Sequence, residues 1–416
     1  MRWLECVYGL LCGPPGVAVM VGTGLFLSLR TGFPQITLLP RAFRMLSVPK
    51  EKKGTVTQFQ ALCTALAATV GTGNIIGVSG AICLGGPGAI FWMWLCGFLG
   101  MATKFAEVTL ARRYRDFSGG EMVGGPMYMI RKGMPGKWHF LAYLYSAFGV
   151  IAAFGVGNAT QVNAVVSGFH DILASHGREP TWMGNLLVGI VMALAVGAVL
   201  FGGVKRIGAA AEKLVPAVSV GYILLCLWVL IKCRRQIPGA FAAILKGAVS
   251  PGAVTGGMIG SAFVSLRTGC ARGIFTNEAG MGTASMAYAA AGEGHPVELG
   301  LLGLLEVFMD TIVICTLTAM AVLCGGAAIP YGVDAGGVLP FRVFSGVCGS
   351  WAAGALTLFL TLPRCLAGAS MVPGAGSSCS APDSGRPSSG CKWAAFFWGL
   401  CWRPGPYGWP PSLSTA

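Results

Sequence analysis

A run of Gly71, Thr72, Gly73 and Asn74 interrupts a long apolar stretch, Ala68 to Ala89. If that stretch crosses a membrane, backbone groups freed at the interruption must bond within the protein or to a ligand. Amides at the start of a half-helix hold a carboxylate, and opened carbonyls coordinate a cation. Asn74 adds a side-chain amide that needs partners when buried. Thr72, Gly73 and Asn74 are therefore candidates for binding a small carboxylate-bearing solute, and Gly71 and Thr72 for a cation. Close helix packing through small residues is the competing use of the same glycines, and the two readings stand level here.

A second glycine-rich interruption lies in "GAVSPGAVTGGMIGSAF", Gly247 to Phe263. Pro251 removes a backbone donor, and Gly256 and Gly257 loosen the following turn. A pair of interrupted segments at matching places in two halves is the mark of an inverted-repeat transporter. Thr255, Gly256 and Gly257 therefore join the candidates. In "ARGIFTNEAGMGTASMAYAAAG", Asn277, Glu278 and Gly280 sit between apolar runs and read as a cytoplasmic-side re-entrant turn that anchors the bundle. Asn158, Gln161 and Asn163 place amides within an apolar helix, as helix–helix glue or as lining of a solute path.

Charges within apolar segments complete the inventory. Lys104 and Glu107 are three residues apart and can pair on one helix face. Glu306 and Asp310 share a face without an in-helix partner, so a cation or a proton is open to them. No nucleophile elbow, phosphate loop or zinc-protease signature occurs, so an enzyme reading has little support. The four histidines are scattered, and no metal site is expected apart from a transported ion.

The elements that must position these groups follow from composition. Of the 416 residues, 54% are hydrophobic and only 11% charged. A soluble protein of this size carries about 25% charged residues, so lipid is the solvent for much of this surface. Spanning segments are expected at 11–31, 57–85, 88–111, 139–169, 182–203, 214–231, 238–265, 297–324 and 338–362. The net charge of +14 sits mostly between these segments. That placement fits the positive-inside rule and puts the loop Arg30 to Lys53 in the cytoplasm. Lys232, Arg234 and Arg235 fall on the other side by this count. Nucleic-acid binding fits poorly, since no soluble domain carries a basic stripe. The cysteines lie mostly inside apolar runs, as reduced packing residues. Residues 1–362 are expected to form the membrane domain. The stretch 363–416 is rich in Ala, Gly, Ser and Pro and reads as a disordered tail.

Four segments together resemble the alanine or glycine:cation symporter family. They are "GTGNIIGVSGAICLGGPGAIFWMW" from Gly71, "GMATKFAEVTLARRYR" from Gly100, "GGPMYMI" from Gly124 and "RGIFTNEAGMGTASMAYAAA" from Arg272. Their order and spacing hold across about Val7 to Leu360. The resemblance implies an all-α membrane fold of two inverted five-helix repeats with two broken central helices. It implies sodium-driven, in some members proton-driven, uptake of alanine or glycine across the bacterial inner membrane, with no cofactor. In that picture Thr72, Gly73, Asn74, Gln161, Asn163, Gly256 and Gly257 meet the amino acid, and Gly71, Thr72 and Thr255 the cation. Asn277, Glu278, Gly280, Lys104 and Glu107 serve structure or gating. The partners are then the amino acid, sodium and the bilayer. Similar proteins continue with a segment like T-I-L-G-W-x-Y-Y-G-E, where this chain reads "TLPRCLAGASMVPGAG". That departure suggests a reading-frame shift near Leu360–Arg364, and a remnant without transport activity is the alternative to a working symporter.

Overall fold

The computed structural model describes residues 13–46, 56–118, 121–154, 160–175, 177–179, 181–200, 203–257, 259, 261–292, 294–334, 336–349 and 364. Among the described residues the architecture is all-α apart from a two-stranded hairpin, β1 (Asp116–Ser118) with β2 (Glu121–Val123), in which Asp116 pairs with Val123. Among these residues four helices are long and apolar enough to cross a membrane, and five when one bent pair is counted.

Helix α1 (Pro14–Arg30) starts on a proline at its first turn, where the missing N–H costs nothing, and ends in the basic Arg30. A short helical turn, Pro34–Thr37, leads to α2 (Leu39–Leu46). Helix α3 (Gln58–Thr69) opens with a capping box. The Gln60 N–H donates to Thr57 Oγ1, and the Thr57 N–H donates to Gln60 Oε1, both at 3.0 Å. It stops at Val70, whose backbone is extended. The chain then makes a π-helical turn, π1 (Gly73–Gly77), and continues as α4 (Val78–Gly85), bent by 49° from α3. The first interruption is thus a true break in a buried helix.

Helix α5 (Ala89–Arg113) is the central column. It is followed by α6 (Pro126–Gly133), α7 (Phe140–Phe154), α8 (Thr160–Ser175), α9 (Trp182–Leu200) and α10 (Gly203–Lys232). Next come α11 (Ile237–Val249), a short turn Gly252–Thr255, α12 (Ala262–Asn277) and α13 (Thr283–Ala289). The last of the long apolar spans among the described residues is one 29-residue rod, Pro296–Cys324. It is built from α14 (Pro296–Val307), a second π-helical stretch π2 (Phe308–Cys315) and α15 (Thr316–Cys324), and α16 (Leu339–Cys348) follows.

Glycines set the spacing around α5. A Cβ at Gly269 of α12 would lie 2.2 Å from the Ala89 carbonyl oxygen, and one at Gly303 of α14 would lie 2.7 Å from Val108. Only glycine lets those backbones approach so closely. Outside the core, α9 turns Leu187, Val191 and Leu194 outward, 57–68% exposed, as a helix bathed in lipid requires.

The expected segment 139–169 emerges as two helices, α7 and α8, separated by residues outside the description. Helix α10, which carries Pro216 inside it, precedes the second interruption. It lies along α3, where Gln60 Nε2 donates to Glu212 Oε2 at 2.8 Å. The second interruption is real and cuts 238–265 into α11, the Gly252–Thr255 turn and the start of α12. Of the tail 363–416 only Arg364 is described, and it is buried.

Candidate functional site

The site forms where π1 faces π2. Asn74 is fully buried and occupies the centre. Its Oδ1 accepts from the Gly71 N–H at 2.8 Å, while the Asn74 N–H donates to the Gly71 carbonyl at 3.1 Å. These reciprocal bonds close the turn that breaks the helix. Its Nδ2 donates to Asp310 Oδ1 at 2.7 Å and, less closely, to the Asp310 carbonyl at 3.3 Å. The other carboxylate oxygen of Asp310 accepts from Thr311 Oγ1 at 3.0 Å. A buried carboxylate is tolerated because both oxygens are bonded.

Thr72 faces the other way and donates from Oγ1 to Gln161 Oε1 of α8 at 3.0 Å. Gln161 is buried, so this bond ties α8 to the break. A Cβ at Gly73 would stand 3.4 Å from Thr276 Oγ1, so Thr276 of α12 walls the turn. The structure therefore gathers Gly71, Thr72, Gly73, Asn74 and Gln161 into one place. Asn163 is not brought there. It follows Gln161 by two residues, and residues so spaced on a helix do not share a face.

Thr255, Gly256 and Gly257 lie elsewhere. Thr255 Oγ1 donates to the Pro251 carbonyl at 2.9 Å and accepts from the Ile259 N–H at 3.0 Å. Its methyl carbon packs 3.1 Å from where a Cβ on Gly86 would be. Gly86 is thirteen residues beyond Gly73, about 20 Å along a helix. The second break therefore packs on the far end of α4 and not on Asn74. Gly256 and Gly257 have φ values of +63° and +87°, which only glycine adopts without strain, so their role in the turn is conformational.

The Asn277–Gly282 turn joins α12 to α13. Asn277 Oδ1 accepts from the Ala279 N–H at 3.0 Å, and Glu278 takes φ +51°. One oxygen of Glu278 accepts from Thr283 Oγ1 at 2.5 Å, and the other pairs with Arg364 at 2.7 Å. The Gly280 N–H donates to Glu107 Oε2 at 3.0 Å, fastening the turn to α5.

That bond changes the reading of Lys104. The expected partner three residues on, Glu107, has turned to Gly280. Lys104 Nζ instead pairs with Glu306 Oε1 of α14 at 3.4 Å and donates to the Glu278 carbonyl at 3.3 Å. Both side chains are wholly buried. Gly303 makes this possible by bringing α14 against the Lys104 stem. Glu306 thus has its partner on a neighbouring helix. Asp310, Thr276 and Arg364 are residues that the sequence reading did not assign to the site. For Asp310 the signal was present, as an intramembrane carboxylate without an in-helix partner.

Comparison with known proteins places the chain as a whole. The model of the Sodium:alanine symporter family matches residues 1–372. The sodium/alanine symporter AgcS of Methanococcus maripaludis is 44% identical over 330 residues, which cover 78% of this chain and 70% of that protein. An uncharacterized transporter of Haemophilus influenzae is equally similar, 44% over 329 residues, with the same coverage. The probable sodium/glutamine symporter GlnT of Bacillus subtilis is 36% identical over 351 residues, covering 83% of this chain and 70% of its own. Among solved structures, the crystal structure of MhsT in complex with L-phenylalanine superposes with a TM-score of 0.56. That likeness covers 84% of this chain and 80% of that one at 19% identity. At such identity it establishes the fold alone, that of an inverted-repeat transporter with broken central helices.

Proposed function

The chain belongs to the Sodium:alanine symporter family, and on that footing we propose that it couples sodium influx to uptake of alanine or glycine. Family membership makes it a multi-pass membrane transporter of the cation-coupled amino-acid class. The finer assignments rest on the break. The observation that carries them is the convergence of Asn74, Thr72 and Gln161 at one interrupted helix, backed by the buried carboxylate of Asp310. Opened backbone and amide side chains suit a zwitterion too small to offer an apolar body, and a buried carboxylate suits a nearby cation. Small solutes leave little else to recognise.

In the proposed cycle, sodium at Gly71 and Thr72 holds the α3–π1 junction in its binding form. The amino acid then seats on Thr72, Gly73 and Asn74, and the α5–α12–α14 column moves against the remainder. A small substrate and the transported ion suffice, with no enzymatic step and no cofactor. The bacterial inner membrane is the proposed location. Asn163 and the Thr255–Gly257 turn are assigned to the path rather than to the central contact.

The test is accumulation of radiolabelled alanine and glycine by proteoliposomes containing the full chain, with and without an inward sodium gradient. Gradient-dependent accumulation supports symport. A proton gradient driving uptake in the absence of sodium would replace sodium in the proposal. No accumulation by folded protein would favour the second reading, a non-transporting remnant, for which the composition of 363–416 is the motivating observation.

A further inference from the structure

Arg364 reaches the break from 295 residues beyond Thr69. Its side chain is 3% exposed. Nη1 donates to the Thr69 carbonyl at 2.9 Å, and Nη2 pairs with Glu278 Oε1 at 2.7 Å. The stem lies on Gly71, where a Cβ would stand 2.6 Å from Arg364 Cδ. A side chain on Gly71 would evict the arginine.

Thr69 is the last residue of α3. The C-terminal turn of a helix presents carbonyls without helical partners, and together they carry a partial negative charge. The Glu278 carboxylate faces the same point, and the Asp310 carboxylate is near enough for its charge to interact with that of Arg364. The position therefore attracts positive charge from three directions. Its nearest ligands, a main-chain carbonyl and a carboxylate, are the oxygens that a half-helix terminus offers to a transported cation.

We propose that Arg364 is a tethered cation, its guanidinium filling the place between the Thr69 carbonyl and Glu278 that a free monovalent cation would otherwise take. The inference rests on the reading of the break as a cation site. It makes a distinct statement about this chain: one coordination position at the end of α3 is permanently filled. Two positive charges cannot share one carboxylate and one carbonyl at contact distance, so sodium is excluded there while Arg364 stays. Removing the side chain vacates a cavity lined by Thr69 O, Glu278 and Gly71, which sodium can enter.

The experiment uses purified full-length protein in detergent and measures equilibrium binding of radioactive sodium, with ionic strength held constant by a bulky organic cation. Arg364→Ala is expected to bind about one further sodium per chain than the unmodified protein, and to gain a sodium-dependent rise in melting temperature. Arg364→Lys, which keeps the charge, is expected to match the unmodified protein. Guanidinium ion added at millimolar concentration should displace the extra sodium from Arg364→Ala. Equal sodium stoichiometry in the unmodified protein and Arg364→Ala would overturn the proposal, as would failure of guanidinium to compete. If Arg364→Ala unfolds on extraction, extraction with guanidinium or sodium present should recover it. Recovery by neither ion also overturns the proposal. The readout is separate from transport. Absence of uptake by the unmodified chain, together with an extra sodium site in Arg364→Ala, would refute symport and leave this inference standing.

Discussion

The Lys104–Glu306 pair offers the most quantitative test of how the column is held. Its charges are 3.4 Å apart and wholly buried. At an effective dielectric of 20 that separation corresponds to an attraction of about 5 kcal/mol. Desolvating both ions offsets most of it, so the intact pair contributes little net stability. Breaking it is different, because one charge remains buried without compensation. Lys104→Met keeps the length of the stem and removes the ammonium. It is expected to cost about 3–5 kcal/mol. Glu306→Gln removes the carboxylate but keeps an acceptor oxygen beside Lys104, which also retains the Glu278 carbonyl, so it is expected to cost less, about 1–3 kcal/mol. The double variant removes both charges and should cost about 2 kcal/mol less than the sum of the singles. The assay is denaturant unfolding in mixed micelles, with midpoint and slope recorded for the cycle of four proteins. Single variants that each lose under about 1 kcal/mol, and that add, would refute the reasoning. The pair would then be solvated in the working protein.

Other expectations follow from single contacts. Gly88→Ala places a Cβ 2.1 Å from the Gly247 carbonyl and should cost about 1–3 kcal/mol by forcing α5 from α11. Gly221→Ala in α10 meets nothing within 4 Å and should raise stability by about 0.5–1 kcal/mol, which thermal unfolding will show. Asn74→Ala frees the Gly71 N–H and one oxygen of Asp310. It should lower alanine uptake by about tenfold or more, with about 1–3 kcal/mol lost in the unfolding assay. Thr72→Val severs the bond to the buried Gln161 and should raise the half-saturation for alanine, with about 0.5–1.5 kcal/mol lost in the unfolding assay. Tyr222→Phe removes a buried bond to Thr318 and should cost about 0.5–1.5 kcal/mol with uptake kinetics intact.

How much of this was legible in the residues depends on range. The glycines at Gly71–Asn74 read equally as close packing or as a break, and the lone amide of Asn74, which needs buried partners, is what brought the second reading level with the first. The partner of Asn74 does not. Asp310 is 236 residues away, and nothing in one sequence says which intramembrane carboxylate faces which amide. The local rule for charges three apart proposed Lys104 with Glu107, but tertiary contacts took both partners. Gly280 claimed one, and Glu306 reached the other where Gly303 closes the helices. Pro251 correctly marked an interruption, since its missing N–H is a local fact. Its distance from Asn74 depends on how many helices lie between, and the stretch 139–169 was read as one where the chain makes two. Neither π-helical stretch was visible, because apolar periodicity does not distinguish a wide turn from an ordinary one.

Those wide turns have a consequence for the register of the rod Pro296–Cys324. A π-helical stretch accommodates residues in excess of the regular repeat, so the helix beyond it is offset in phase by roughly 100° per extra residue. The rod Pro296–Cys324 is therefore keyed to its neighbours separately at its two ends. Below π2, Glu306 is fitted to Lys104, while above it Thr316 accepts from the Trp94 indole at 2.8 Å. Both contacts are made on α5, a single continuous α-helix that contains no wide turn of its own to correct the phase. Deleting one residue within 308–315 would keep the rod long enough to span, yet would allow only one of the two keys to engage. Insertions and deletions here thus act as a rotational switch on which end of the rod stays locked, and relatives that differ in length across this stretch must solve the opposite lock with different side chains.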